Sequence, residues 1–386
     1  MSLPSSTTTT IPLLDLVREY QFMKSAIDSA LERILTHQTW ILGPEVSEFE
    51  KQFSEFVGAT FAVGASSGTE ALLLALRAIS LTTHGNEYFT RDDEVVTTAF
   101  SFTATGDTIL RAGATPVFLD IDPETFCLDL NVLDRYLKDN SKHVKAIIPV
   151  HLYGRAVDGD QLRAIASHYK IPIIEDVAQA CGSSWSGVQC GAIGDLGAFS
   201  FFPSKNLGGF GDAGMVTTNN EELASAVRIL TKHGGKDKYN VEYIGYNARL
   251  DTIQAAVLLA KLPYLKQFNL NRRKIAERYN SAFANHPLLK APMTSGEHHV
   301  YHQYTVRAVN TSREVLTQQL KEKGISTMVY YPTPLHQMKV FRERSKIPFG
   351  CPEAETAARE VLSLPIEPLL REDEIERVIA ECNALE

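Results

Sequence analysis

The chain predicts a layered α/β domain with a mostly parallel sheet, followed by a smaller α+β domain at the C-terminus. Between about residues 60 and 219, short β-rich runs alternate with helical patterns, the repeated βα grammar of such a layer. Runs such as Ala146-Ile147-Ile148-Pro149-Val150 are continuously apolar, as in a parallel sheet covered on both faces. After His286-Pro287 the pattern changes to mixed strands and helices.

Taken in order, Glu94–Thr98 predicts a strand and Phe102–Ala112 the helix after it. Thr115–Asp120 is the next strand, with a helix near Asn131–Lys138. Lys145–Val150, a helix over Gly159–Tyr169 and the strand Ile171–Asp176 complete the repeat. A long helical stretch, roughly Asp251–Arg278 and interrupted by Pro263, leads out of this domain. Tyr304–Ala308 reads as a strand, and Thr311-Ser312-Arg313-Glu314 as a capping box opening a helix that stops at Gly324. A last helix, acidic at its start, spans about Glu372–Cys382. The expected division is an N-terminal arm over 1–14, a large domain over 15–265 and a small domain over 266–386.

Composition narrows the function. Among 386 residues, 44% are apolar and 22% charged, as in ordinary soluble globular proteins. A net charge of −8 argues against a nucleic-acid footprint, while a small anion needs only a local positive site. No apolar run reaches the ~18–20 residues of a membrane span, and Met1–Thr10 lacks the basic and apolar regions of a signal peptide. That opening reads as a disordered arm and the protein as cytoplasmic. The five cysteines form no C-x-x-C pair, so neither a metal site nor a disulfide is expected.

The chemistry concentrates around Ser200-Phe201-Phe202-Pro203-Ser204-Lys205, which runs into a turn containing Gly208, Gly209, Gly211 and Gly214. A lysine between an apolar strand and a glycine-rich turn has a lowered amine pKa and room for a close ligand. It can form a Schiff base with a carbonyl and then carry a proton as general acid–base. Upstream, Asp176 ends a strand, where an ionised carboxylate can hold a pyridine nitrogen protonated. Lysine and aspartate together are what pyridoxal phosphate needs. Gln179 places a second polar side chain near the same ring. Gly64-Ala65-Ser66-Ser67-Gly68-Thr69-Glu70 precedes a helix; alone it is a cap, and beside the lysine segment it is a candidate phosphate cradle, with Ser200 adding a hydroxyl. Phe102 opens a helix after a strand, where it serves either as core or as a stacking face for the ring.

Read in sequence, further segments join these: Gly43-Pro44-Glu45-Val46, Ser67-Gly68-Thr69-Glu70-Ala71-Leu72, Gly113-Ala114-Thr115-Pro116-Val117-Phe118, His151-Leu152-Tyr153-Gly154, Glu175-Asp176-Val177-Ala178-Gln179 and Gly245-Tyr246-Asn247-Ala248-Arg249. In this order the chain resembles the DegT/StrS family of nucleotide-sugar aminotransferases, within the fold-type I, aspartate aminotransferase-like group, from Ile11 to its end. The resemblance implies a three-layer large domain. It implies Lys205 as the Schiff-base lysine, Asp176 at the pyridine nitrogen, Gln179 near the ring hydroxyl and Phe102 on the ring face. It also implies Gly68, Thr69 and Ser200 at the phosphate, and Asn247 reaching the cofactor of a neighbouring subunit in a homodimer. Arg249, Tyr330 and His336 are candidate substrate contacts. The implied reaction moves an amino group from L-glutamate to a nucleotide-linked keto-hexose. Val300-Tyr301-His302-Gln303-Tyr304-Thr305-Val306-Arg307 leans to a 3-keto sugar carried on UDP or dTDP. Departures are Ala213, where relatives often have glycine, and Tyr330, where many have histidine before the Tyr-Pro. A dehydratase, an aminotransferase of a cyclic non-sugar ketone and a non-catalytic regulatory homologue are the alternatives.

Overall fold

The computed structural model of the chain describes residues 10–386 apart from 238 and 295. The arm expected over the first residues therefore lies, up to residue 9, outside the described residues. Helix α1 (Leu16–His37) starts at Asp15, whose carboxylate accepts from the Arg18 N–H, and α2 (Pro44–Val57) ends on the left-handed Gly58. The alternating region then runs β1 (Phe61–Ala65), α3 (Gly68–His84), β2 (Glu94–Thr98), α4 (Thr103–Arg111), β3 (Thr115–Leu119), α5 (Leu130–Asn140), β4 (Val144–Ile148), α6 (Gly159–Tyr169) and β5 (Ile174–Asp176). A short hairpin of β6 (Ser184–Trp185) and β7 (Val188–Gln189) precedes β8 (Leu196–Ser200), β9 (Gly214–Thr218) and α7 (Glu221–Leu230).

These strands make one twisted layer. β3, β2 and β4 pair in parallel, as do β5 and β8. Parallel bridges Ile147–Ile173 and Val150–Asp176 join the two groups. β9 runs antiparallel to both β8 and β1, so it alone opposes the rest of the order β3-β2-β4-β5-β8-β9-β1. Alternation along the strands feeds two cores. Val63, Leu196, Ala198 and Val216 pack with α3 and α7, while Ala62, Phe199 and Met215 pack with α2. Helix α3 is buried along its whole run from Ala71 to Ser80, as expected of a helix that is apolar all round. On the other face Phe53 meets Phe199 edge-on at 4.9 Å and Phe201 at 5.1 Å. Each such pair contributes roughly 0.5–1.5 kcal/mol beyond area burial, which fixes the strand that leads to Lys205.

Helix α8 (Thr252–Phe283) carries the chain away from this layer. It continues unbroken through Pro263, where an interruption was expected. Packing against α1 and α2 offsets the roughly 3 kcal/mol that an interior proline costs. Beyond it, β10 (Leu289–Lys290), β11 (Tyr304–Ala308), α9 (Arg313–Glu322), α10 (Pro352–Glu360), β12 (Val361–Leu364) and α11 (Glu372–Asn383) follow. β10, β11 and β12 form an antiparallel sheet with its own core of Tyr279, Phe283, Tyr304, Val306, Leu316 and Val378. The cap of α9 is Ser312, which accepts from Val315 N–H, one residue later than the expected Thr311. Ile11 pairs with Ile325, so the chain's described start is tied to this second sheet region.

Candidate active site

A cavity of about 470 Å³ opens beyond the carboxyl ends of β5 and β8, the position at which parallel sheets bind ligands. Asp176 ends β5, Ser200 ends β8, and Phe102 caps α4 just after β2. All three line the cavity together with Gly68, Thr69, Gln179, Lys205 and Tyr330. Eight of the eleven residues singled out from sequence thus share one space.

The floor is built by close approach. Ser67 caps α3 by accepting from Glu70 N–H at 3.1 Å, which leaves the first N–H groups of the helix facing the cavity end. A Cβ on Gly68 would lie 2.5 Å from Ser200 Cβ, and one on Gly214 would lie 2.3 Å from Ser67 O. Glycine at both positions lets the end of β8 and the start of β9 touch the helix turn. The Lys205 N–H donates to Phe202 O at 2.8 Å, and a Cβ on Gly208 would strike Pro203 O at 2.3 Å, so the lysine sits in a tight, specified turn. Phe199 and Phe201 point into the core, whereas Phe202 faces the cavity.

Charge is handled unequally by two neighbouring acids. Asp176 is buried at 5% exposure, accepts from Thr105 Oγ1 at 2.8 Å and from Ala178 N–H at 3.2 Å, and faces the cavity. Burial pushes its pKa up, with those donors and Lys205 opposing. Glu175 points the other way and is fully buried. It accepts from Gly191, Ile193 and Gly194 N–H groups at 2.8–2.9 Å and from His151 at 2.9 Å. His151 Nδ1 accepts from Val157 N–H, so its Nε2–H is the group that meets Glu175. The cluster of His151, Glu175 and Cys190 therefore uses its carboxylate to hold the 190–194 loop. The Lys205 amine is lowered to about 8 by burial, with Asp176 opposing. A large share of it is neutral at slightly alkaline pH.

Gln179 is held at both ends: its Oε1 accepts from Tyr153 N–H at 2.8 Å and its Nε2 donates to Tyr331 Oη at 2.9 Å. Tyr153 Oη in turn donates to Tyr330 O. Tyr331 keeps its own proton available to the cavity, and burial with Asp176 pushes its pKa up. Phe102 leaves 55% of its surface exposed at the cavity wall, with Tyr331 at 6.1 Å, the posture of a ring waiting for a flat partner. Asn247 and Arg249 bond each other and lie outside this cavity. Their segment is pinned to α3 by the buried Arg77, which donates to Ile244 O at 3.0 Å and stacks on Tyr88 at 3.6 Å. His336 also lies outside, paired with Glu355 at 3.1 Å. Thr105, His302, Gln303 and Tyr331 line the cavity without having been singled out. Thr105 and Tyr331 stand within three residues of Phe102 and Tyr330, the local signal that would have found them.

These residues fit pyridoxal phosphate. A buried carboxylate that burial disfavours as an anion gains from a cationic ring nitrogen, and a helix start with free N–H groups gains from a phosphate. Residues 21–383 match the DegT/DnrJ/EryC1/StrS aminotransferase family. The chain is 42% identical, over 96% of each protein, to a pleiotropic regulatory protein of Geobacillus stearothermophilus. It is 38% identical, again over 96% of each, to UDP-N-acetyl-3-dehydro-alpha-D-glucosamine 3-aminotransferase of Acidithiobacillus ferrooxidans. Among solved structures it resembles S. venezuelae DesV in complex with a ketimine intermediate (TM-score 0.91, 36% identity, 98% of both chains). It also resembles NtdA of Bacillus subtilis with the cofactor PMP bound (TM-score 0.88, 30% identity, 99% of this chain and 86% of that one). The chain belongs to the DegT/DnrJ/EryC1/StrS aminotransferase family.

Proposed function

We propose that this family member uses pyridoxal phosphate to move an amino group from L-glutamate to a nucleotide-linked 3-keto hexose, as a cytoplasmic homodimer serving amino-sugar biosynthesis. The observation that carries the reading is the meeting of Lys205 and Asp176 in one cavity beside the α3 helix start. When bound, the cofactor supplies an electron sink and a carrier for nitrogen.

The chain's own residues supply the rest. Lys205 would hold the cofactor through Nζ and, as a free amine, take and return a proton at that atom, for which an amine lowered to about 8 is suited. Asp176, oriented by Thr105, would hold the ring nitrogen. Gly68, Thr69 and Ser200 would hold the phosphate, Phe102 would cover the ring face, and Gln179 with Tyr331 would bound its hydroxyl side. Asn247 and Arg249, which lie outside their own cavity, would serve a second subunit's site. Tyr330, which lines the cavity, would contact the sugar. No helix among the described residues is long and apolar enough to cross a membrane.

The test is an absorbance spectrum of the purified protein before and after L-glutamate. The expected result is a band near ~410–420 nm that moves to ~330 nm, followed by its return on adding a nucleotide keto-sugar. A band that ignores glutamate would favour dehydration or another donor. The regulatory name of the G. stearothermophilus relative gives a non-catalytic reading a foothold, and absence of any band would favour it.

A further inference from the structure

His302 stands where the second sheet region meets the cavity. Its segment crosses to the large layer: Ala156 N–H donates to His298 O at 2.7 Å, Val300 N–H to Gly154 O at 2.9 Å and Gln303 N–H to Tyr153 O at 3.3 Å. A Cβ on Gly154, whose φ is +98°, would come within 2.9 Å of the His302 backbone nitrogen, so glycine permits the close approach of the two segments. His302 is thereby set in the cavity wall at 6% exposure.

A chain of amides fixes its tautomer. Asn206 Nδ2 lies 3.2 Å from Val300 O and 2.8 Å from Asn269 Oδ1. A carbonyl only accepts, so Nδ2 is the donor and the other amide atom, Oδ1, only accepts. That oxygen lies 3.1 Å from His302 Nδ1, which must carry the hydrogen. The neutral ring then presents a bare lone pair at Nε2. Among the described residues nothing in the protein bonds Nε2, and it is not among the sealed polar atoms. Burial, with the charges of Lys205 and Arg272, holds the ring neutral. A lone pair repels phosphate and carboxylate oxygens, and two nearby cations disfavour an ammonium. A neutral donor such as a sugar hydroxyl satisfies both conditions.

We propose that His302 is a specificity-determining residue whose Nε2 accepts a hydrogen bond from a hydroxyl of the sugar ring that receives the amine. This rests on the reading that the cavity takes a nucleotide-linked sugar ketone. Two substitutions divide the ring's roles. His302→Asn keeps a donor near the Nδ1 position for Asn206 and removes the cavity acceptor; His302→Gln keeps a polar atom near Nε2 and gives up the Asn206 bond. Binding is measured by calorimetry on holoenzyme in the amine form, with UDP-N-acetylglucosamine or dTDP-glucose as non-reacting probes and the bare nucleotides beside them.

His302→Asn should weaken the sugar nucleotide about tenfold, one hydrogen bond's worth, and the bare nucleotide less than about twofold. His302→Gln should recover most of that loss. Equal weakening of sugar nucleotide and bare nucleotide, or a larger defect in His302→Gln than in His302→Asn, would make the ring a scaffold for Asn206 and overturn the proposal. Sugar-nucleotide binding unchanged in both variants would overturn it alone, leaving the function standing. A wild-type protein that binds neither probe would overturn the function and this inference together.

Discussion

The two walls of the cavity are made in different ways. The wall from the large layer consists of strand ends and helix starts of the sheet itself, with local devices such as the Ser67 cap and the Lys205 turn, and close approaches between neighbouring elements such as Thr105 to Asp176. The facing wall of His302, Gln303, Tyr330 and Tyr331 is assembled from distant segments and held by bonds across the chain, such as Gln179 to Tyr331 and Asn206 to His302. Charge chemistry belongs to the first wall, because only there do a depressed amine and a buried carboxylate meet. The second wall offers neutral donors and acceptors and is suited to reading the substrate. A wall made by the sheet's own ends can serve one chemistry across many substrates, while a wall contributed by segments from outside the sheet can vary without disturbing it.

The division is broken most directly at the first wall. Lys205→Ala should lower amino transfer by at least about 10⁴-fold and abolish the cofactor's covalent absorbance band, read by single-turnover kinetics and spectrum. Retention of either would remove the chemistry from that wall. Asp176→Asn should lower the rate by about 10²–10³-fold with little change in melting temperature, since the amide oxygen can keep the Ala178 N–H while its NH₂ donates to Thr105 Oγ1, whose hydroxyl is free to turn to Ser101. Glu175→Gln, one residue away, should do the reverse. It turns an NH₂ group toward donors that the carboxylate satisfied and should cost about 3 kcal/mol, read by denaturant unfolding.

A pH series sharpens the contrast. Only the neutral amine attacks a carbonyl, so cofactor capture by the apoprotein should rise about tenfold per unit below the lysine's pKa and level off above about 8. Asp176→Asn removes a charge that favours the protonated amine, and should move the midpoint of this profile downward. The smallest effect is expected at the second wall. Tyr331→Phe removes the hydroxyl that Gln179 donates to and should change the glutamate half-reaction by less than about tenfold, while raising the KM of the keto-sugar more than that of glutamate.

Legibility follows the same line. Strands β2 and β11 and helix α6 have the bounds the sequence predicts, because hydrophobic period and caps are local signals. Pro263 misled, since packing on α1 and α2 outweighs the local break, and the cap of α9 moved by one residue between two adjacent hydroxyls. At the site, Lys205, Asp176, Gly68 and Phe102 were legible as residue types at strand ends and turns. Thr105 stood three residues from Phe102 and His302 with Gln303 inside a segment that leaned to a keto sugar, yet no single one of them stood out, because their places in the cavity depend on partners far along the chain. His336 and Asn247 carry motif signals, yet within one chain they lie outside the cavity.

The sequence by itself determined the layered sheet, the lysine and carboxylate chemistry and the helix start that suits a phosphate, because each depends on residues close along the chain. Only the tertiary structure decided that Glu175 holds a loop while Asp176 faces the cavity. It alone decided that Gln179 is bound at both ends and that His302 shows a lone pair rather than a proton. Those outcomes depend on which donors lie opposite, and hydrogen-bond partners separated by tens to hundreds of residues are settled only when the chain closes on itself.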